Sequence, residues 1–344
     1  MNNSLNFSIH EDVLGEDNKP LAQHGVFSRN WDHEEVLDRL ADRLDNGDIN
    51  QKQALLLARN LVPQNAACLE LQNFMAQRLW ALEMRDEATE LWAKAYKQAT
   101  ALIPKDFNGQ ISWFSIDNRT FLRVAHGYLL GLMYQGNGKA AKALAKKMLT
   151  WSPCDNLGVR MLLGDISLLN GNTKTAMKSF LKEAAHSPAH WYQAGQIEFK
   201  NHDYIAACTY IRRGIAANPY IAEGLTGRTT LDEHLYWHGS NRNGPEWAAN
   251  YLNSPICVWK QEETDFVDWI FNSSHVLKER ADLAIQHEGL TYERDPELRD
   301  PYAFKSSFFL EWITDEISKI MVRKISNRFG LSIWPWDRAG FLKR

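Results

Sequence analysis

Residues 164–188 read GDISLLNGNTKTAMKSFLKEAAHSP, and residues 195–219, which begin 31 positions later, read GQIEFKNHDYIAACTYIRRGIAANP. Each stretch has a glycine first, an alanine twelve positions on, a large apolar residue four further on, and a final proline. These positions are Gly164, Ala176, Phe180 and Pro188 in the first stretch, and Gly195, Ala207, Ile211 and Pro219 in the second. A period of this length indicates stacked helical hairpins, in which small residues let two helices approach and proline ends the second one.

The pattern extends toward the N-terminus, where Ala76, Ala88 and Trp92 repeat the spacings of twelve and four. Helical periodicity dominates from residue 31 to residue 219, with no alternating strand pattern of useful length. We therefore predict an all-α fold with about five antiparallel helical pairs over residues 31–219.

The flanking segments are predicted from their turn residues and apolar spacing. Residues 1–30 contain Gly15, Pro20 and Gly25 among polar residues, and we predict an extended or loosely docked arm. Residues 220–300 should form a divergent helical region. For residues 301–344 we predict an amphipathic helix near 304–329 and a basic tail.

Two sequence features resemble a known family. The repeat of small residues and proline resembles the tetratricopeptide repeat, and residues 152–160, SPCDNLGVR, resemble the NP-x-DN-x-G-x-R block of a divergent group of tetratricopeptide-like proteins. Residues 118–123, NRTFLR, and residues 218–221, NPYI, are similar to the same group. The resemblance implies a right-handed superhelical solenoid that binds peptides or protein surfaces in its concave groove, which the first helix of each pair lines.

The resemblance and the side-chain chemistry together give four candidate partner-binding residues, Arg119, Arg123, Asn156 and Arg160. They fall at the starts of two adjacent first helices. Arginine presents a forked donor to carboxylates, so Arg123 and Arg160 would hold an acidic or C-terminal peptide. The alternative is internal: Arg160 pairs with Asp155 or Asp165, and Asp155 with Asn156 caps the following helix.

Charge is unevenly distributed, although the formal net charge is only −3. Residues 1–50 hold eleven acidic and four basic residues, whereas residues 119–182 hold ten basic and two acidic ones. The basic region leaves open a nucleic-acid-associated regulatory role, with Trp113, Phe114 and Trp151 available for stacking. A sequence pI near 6.4 argues against a dedicated nucleic-acid binder.

Few residues point to catalysis or to a cofactor. His234 and His238 are four residues apart, but glutamate precedes the first histidine instead of following it, unlike zinc-protease helices. Phosphate-binding loops, dinucleotide fingerprints and nucleophile elbows are missing from the sequence. We therefore predict a non-catalytic scaffold or adaptor without cofactors, with metal-dependent catalysis as a less favoured alternative.

Compartment follows from the cysteines and the apolar runs. Four cysteines lie far apart with no C-x-x-C spacing, and no apolar run reaches the roughly 20 residues of a membrane span. With a polar N-terminus, this predicts a cytoplasmic protein. The tail sequence IWPW at 333–336 lies among basic residues and has two candidate uses, contact with an anionic membrane surface or internal packing.

Overall fold

The computed structural model describes residues 5–342 apart from positions 12, 17–19, 22, 29–30, 62–67, 235–240 and 255–256. These described residues contain sixteen α-helices and three two-stranded antiparallel sheets, so the protein is mostly helical, as predicted. The chain divides into two compact units, Met1–Asn172 and Thr173–Arg344. In the part that the structure describes, every helix is too short or too polar to cross a membrane.

Unit 1 (Met1–Asn172) starts with a nested pair of hairpins. Strand β1 (Phe7–His10) pairs with β4 (His24–Phe27), and β2 (Val13–Leu14) pairs with β3 (Pro20–Leu21). The helices that follow are α1 (Trp31–Asp45), α2 (Gln51–Arg59), α3 (Leu69–Ala81), α4 (Arg85–Thr100), α5 (Arg119–Tyr134), α6 (Gly138–Trp151) and α7 (Leu163–Leu169). Short 3-10 helices, Ile116–Asn118 and Val159–Leu162, precede α5 and α7.

Local sequence explains where these helices begin and how they approach. Asn50 starts α2 with a capping box, because its Oδ1 accepts the Gln53 N–H at 3.0 Å and Gln53 Oε1 accepts the Asn50 N–H at 2.9 Å. Helices α4 and α5 approach closely at Gly127, where a Cβ would lie 2.2 Å from Trp92 Cε2. The small residue at this position therefore makes room for the tryptophan ring.

Unit 2 (Thr173–Arg344) contains the second of the two quoted stretches. Its described helices are α8 (Thr173–Glu183), α9 (Pro188–Lys200), α10 (Tyr204–Ala217), α11 (Pro219–Leu225), α12 (Pro245–Leu252), α13 (Gln261–Phe271), α14 (Ser274–Tyr292), α15 (Pro296–Trp312) and α16 (Asp315–Met321). A short 3-10 helix, Asn241–Asn243, precedes α12, and strands β5 (Ile325–Ser326) and β6 (Ser332–Ile333) form a hairpin after α16.

The small residues of the second quoted stretch lie where α9 and α10 contact each other. A Cβ on Gly195 would be 2.7 Å from Ile211 Cδ1, and one on Gly214 would be 2.8 Å from the Tyr192 ring. These contacts run in opposite directions along the two helices, which are therefore antiparallel. Helix α8 ends at Glu183, before Pro188 is reached, and Pro188 is the first residue of α9. The proline therefore begins the next helix, and α8 ends without it.

The predicted arm of residues 1–30 is not loosely docked where the structure describes it, because its strands pair with each other and pack against unit 1. Besides the β1–β4 hairpin, Phe27 is 1% exposed, and its ring centroid lies 4.4 Å from that of Phe121. The prediction was wrong because its anchoring partners lie about 90 residues or more away in sequence, as the bonds of Phe27 and Asn118 described below show.

The predicted helix near 304–329 was also wrong in its bounds, because α15 ends at Trp312 and α16 at Met321. The two arginines of α10 explain the break. Arg213 donates to the Ile313 carbonyl at 2.9 and 3.1 Å, and Arg212 Nη1 donates to the Thr314 carbonyl at 2.8 Å. Both carbonyls thus bond to another helix at the point where α15 would have continued.

The tail aromatics pack inside unit 2. Trp336 is 6% exposed, with its ring 4.8 Å from Phe266, and the Trp334 ring lies 5.0 Å from Tyr204. Residues 333–336 therefore pack internally, which was one of the two uses predicted for them.

Candidate functional site

A cleft of about 280 Å³ in unit 1 is lined by three alternate helices, α1, α3 and α5. They alternate along the chain with α2 and α4, neither of which contributes a lining residue. The lining residues are Leu37, Asp38, Ala41, Glu70, Asn73, Phe74, Gln77, Thr120 and Arg123. The cleft thus combines an apolar floor with amide, hydroxyl and charged groups of both signs.

Arg123, one of the predicted residues, lines this cleft. A second lining residue, Asn73, is held in place by a neighbouring helix. Asn73 Oδ1 accepts the indole N–H of Trp92 at 3.0 Å, so α4 holds the amide in place from behind. The resemblance to tetratricopeptide repeats implies that first helices line a groove, and that expectation applied to α3 would have found Asn73 and Gln77. Our sequence prediction missed them because the block residues lie later in the chain.

Arg119 and Arg123 are brought together by Trp113. The guanidinium carbons of both arginines lie 5.3 Å from the Trp113 ring centroid. Arg119 Nε also donates to the Trp113 carbonyl at 3.1 Å. Cation–π contacts orient a guanidinium and leave its N–H groups able to donate. The start of α5 therefore carries two positive charges around one indole, with the Arg123 side chain exposed.

Arg160 and Asn156 are placed differently. Arg160 Nε lies 3.0 Å from Asp155 Oδ2, and its Nη2 donates to the Pro153 carbonyl at 2.8 Å. Asp155 also accepts the N–H groups of Val159 at 2.7 Å and Arg160 at 2.9 Å, capping the 3-10 helix. Asn156 is exposed at this turn. Arg160 thus has the internal role that was predicted as the alternative, because it pairs with Asp155 within its own loop. It is not among the residues that line the α1/α3/α5 cleft.

A buried carboxylate that sequence reasoning missed lies beside the predicted site. Glu16 is 8% exposed and is held by two loops, 112–113 and 152–154. Its Oε1 accepts hydrogen bonds from Ser112 Oγ at 2.9 Å, the Trp113 N–H at 2.6 Å and Ser152 Oγ at 2.8 Å. Its Oε2 accepts the Cys154 N–H at 2.8 Å. We call these four donors the Glu16 cradle.

Two of the segments that resemble tetratricopeptide-like proteins, 118–123 and 152–160, thus contribute residues that anchor the N-terminal hairpins. Asn118, fully buried, accepts the Phe27 N–H at 3.0 Å and donates to the Gly25 carbonyl at 2.9 Å. Ser152, from the other block, belongs to the Glu16 cradle. Nothing in the spacing of the sequence signals these contacts, because Glu16 and Ser152 are 136 residues apart.

The histidine pair is only partly within the described residues, because His238 lies outside them. His234 Nε2 is 3.5 Å from Glu223 Oε1. Burial lowers the pKa of His234, and the neighbouring Glu223 carboxylate opposes that shift. Within the described ranges, no three His, Cys, Asp or Glu side chains come together as a metal site.

Two cysteines lack the chemistry of a nucleophile. Burial raises the pKa of Cys68 to about 12 and the pKa of Cys208 to about 11. Both side chains therefore stay protonated thiols at neutral pH, whereas the reactive form of cysteine is the thiolate.

No protein-family model, curated protein or solved structure matches this chain.

Proposed function

We propose that this protein is a non-catalytic, tetratricopeptide-like interaction scaffold that binds a peptide segment of a partner protein in the α1/α3/α5 cleft. The observation that carries the proposal is the lining itself, because three successive first helices face one cleft while their second helices lie outside it. Stacked helical pairs present such surfaces to other chains. This arrangement supports the binding of another chain.

The charges that line the cleft have different signs on different helices, which suggests how a peptide is oriented. Arg123, with Arg119 beside it on Trp113, gives one region a positive charge, whereas Asp38 and Glu70 on α1 and α3 carry negative charge. An acidic side chain or a C-terminal carboxylate would bind at the arginines, since guanidinium groups donate two hydrogen bonds to a carboxylate. The rest of the peptide would contact Phe74 and Leu37.

Affinity capture combined with site-specific crosslinking tests this proposal. A photoreactive amino acid would replace Gln77, an exposed cleft residue, and in a separate sample Lys94, an exposed residue of α4. In lysate of the native host, we expect the Gln77 probe to crosslink one protein that the Lys94 probe does not. Arg123→Glu should abolish that crosslink, and Lys94→Glu should leave it intact. A partner crosslinked equally from both positions would contradict the cleft assignment.

The nucleic-acid alternative has one structural observation in its favour. Lys139, Lys142 and Lys146 are exposed on α6 at spacings that place them on one face of the helix. Such a row can contact phosphates, and binding would then weaken steeply with salt. If capture enriches nucleic acid, and Lys142→Glu with Lys146→Glu removes it while Arg123→Glu does not, this alternative replaces the scaffold proposal.

A further inference from the structure

Unit 2 contains a second and larger cavity, of about 490 Å³, which the proposed function does not use. It lies between the α8–α9 turn, the end of α10, the 3-10 helix before α12, and helices α14 and α15. A smaller recess of about 30 Å³ shares five lining residues with it and extends toward Arg280. Sites for small molecules typically have volumes of about 300 to 1,000 Å³.

Small side chains keep this cavity open. Ala184 and Ala185 line it from the α8–α9 turn, Ala216 and Ala217 from the end of α10, and Ala303 from α15. The space is open to solvent, since Ala185, His186, Arg242 and Ser307 are exposed. The five alanines, from three elements, leave room there that larger side chains would occupy.

The remaining walls are of two kinds. Leu283, Leu290, Phe309 and Leu310 from α14 and α15 supply a large apolar surface. Polar groups come from His186, Arg242, Asn243, His287, Ser306 and Ser307. Among the described residues that line the cavity and its recess, none carries a carboxylate, whereas Arg242 and Arg280 each carry a positive charge. Glu223, buried nearby, lines neither space and pairs with Arg228 and His234 at 3.5 Å.

The Arg242 guanidinium is held in place by its neighbours. Its Nη1 donates to the His186 carbonyl, and its Cζ lies 5.7 Å from the Trp247 ring centroid. The backbone around it is fixed as well, because Asn218 Nδ2 donates to the carbonyls of Arg242 at 2.9 Å and Gly244 at 3.1 Å. An arginine oriented in this way can bind an anion without first losing much side-chain freedom.

We propose that this cavity binds a small organic anion with an apolar body, its acidic group at Arg242 and its apolar part against α14 and α15. Hydrocarbon would occupy the space between the alanines and the leucines, where burial of apolar surface drives binding. The acidic group would accept N–H groups of Arg242, and the absence of lining carboxylates in the described residues removes a source of repulsion. A cationic ligand of the same shape would bind poorly for the same reason.

Calorimetric titration of the full-length chain with matched ten-carbon probes tests the proposal. We expect decanoate to bind at least tenfold more tightly than decylammonium at pH 7.5. Arg242→Gln should weaken decanoate binding about tenfold or more, in keeping with the strength of charge-assisted hydrogen bonds. The matched control is Arg294→Gln, an exposed arginine that does not line the cavity, and it should leave decanoate binding unchanged.

A second pair of variants tests the apolar part. Ala303→Phe should fill the cavity and abolish decanoate binding, with Ser306→Phe as the substitute if the first variant does not fold by circular dichroism. Equal affinity for the two probes, no binding of decanoate, or unchanged binding after Arg242→Gln or after filling would each overturn the proposal. None of these results depends on the α1/α3/α5 cleft, so the outcome is independent of the proposed function.

Discussion

At the scale of single residues, the Glu16 cradle makes the sharpest prediction. Glu16→Gln replaces Oε2 by an NH2 group, which would then face the Cys154 N–H, a backbone donor that cannot rotate away. Hydrogen bonds to a charged acceptor contribute about 1.5–3 kcal/mol, so we expect the free energy of unfolding to fall by about 2–3 kcal/mol in urea. Glu11→Gln, at an exposed position on the same segment, is the control. Equal effects of the two substitutions would show that the cradle does not stabilise the fold.

A partly buried histidine should make stability depend on pH. Burial lowers the pKa of His126, and the nearby Asp155 carboxylate only partly opposes the shift. Below the unfolded-state pKa of about 6.5, the unfolded chain therefore binds a proton more readily than the folded one, and stability is lost as the pH falls. Urea unfolding at pH 7.5 and 5.5 should show a smaller loss in His126→Gln than in the wild type. An identical pH dependence in both proteins would refute this assignment.

At the scale of secondary-structure elements, α4 and α5 depend on a glycine that helix propensity alone would disfavour. Gly127→Ala should gain about 1 kcal/mol from propensity but place a methyl group 2.2 Å from the Trp92 ring. Overpacking of this kind costs about 1–3 kcal/mol, so we expect net destabilisation by thermal and urea unfolding. The cost of Gly127→Ala should shrink in a Trp92→Leu background, and an undiminished cost there would rule out the ring as its cause.

Elements with strong local signals were predictable, and those fixed by distant partners were not. Helical periodicity predicted the helices of residues 31–219, and a cap such as Ser273, whose Oγ accepts the Val276 N–H, is a local signal of the same kind. The bounds of α15 were missed because Arg212 and Arg213, about 100 residues away, bond to the carbonyls at the break. At the site, the arginine chemistry pointed to Arg123, but the role of α1 and α3 depends on how three helices pack.

At the scale of the whole molecule, each unit has a hydrophobic cluster of its own. Leu37, Leu71 and Phe74 belong to a cluster in unit 1, whereas Ile211, Phe266 and Trp336 belong to one in unit 2. A destabilising change in one cluster should therefore speed amide hydrogen exchange chiefly within its own unit.

Arg212→Ala is the variant suited to testing this in unit 2. Arg212 is 1% exposed, pairs with Glu279, and donates to Ser318 Oγ at 2.9 Å. Breaking a buried ion pair on one side costs about 3–5 kcal/mol. We expect faster exchange in residues 173–342 with little change in residues 5–172, and the reverse for Gly127→Ala. If exchange rises equally across both units in either variant, the prediction that each cluster stabilises chiefly its own unit is wrong.

The separation of Glu16 and Cys154 along the chain also determines when, during synthesis, the N-terminal hairpins can be anchored. A ribosome adding about 5–20 residues per second needs roughly seven to twenty-eight seconds to make the 138 residues that separate them. Throughout that interval the nascent hairpins exist without the groups that later hold them. Chains arrested before Cys154 should be cut by protease within residues 5–28, and chains arrested well beyond it should resist. The N-terminal hairpins are thus synthesised well before the groups that hold them and reach their final environment late.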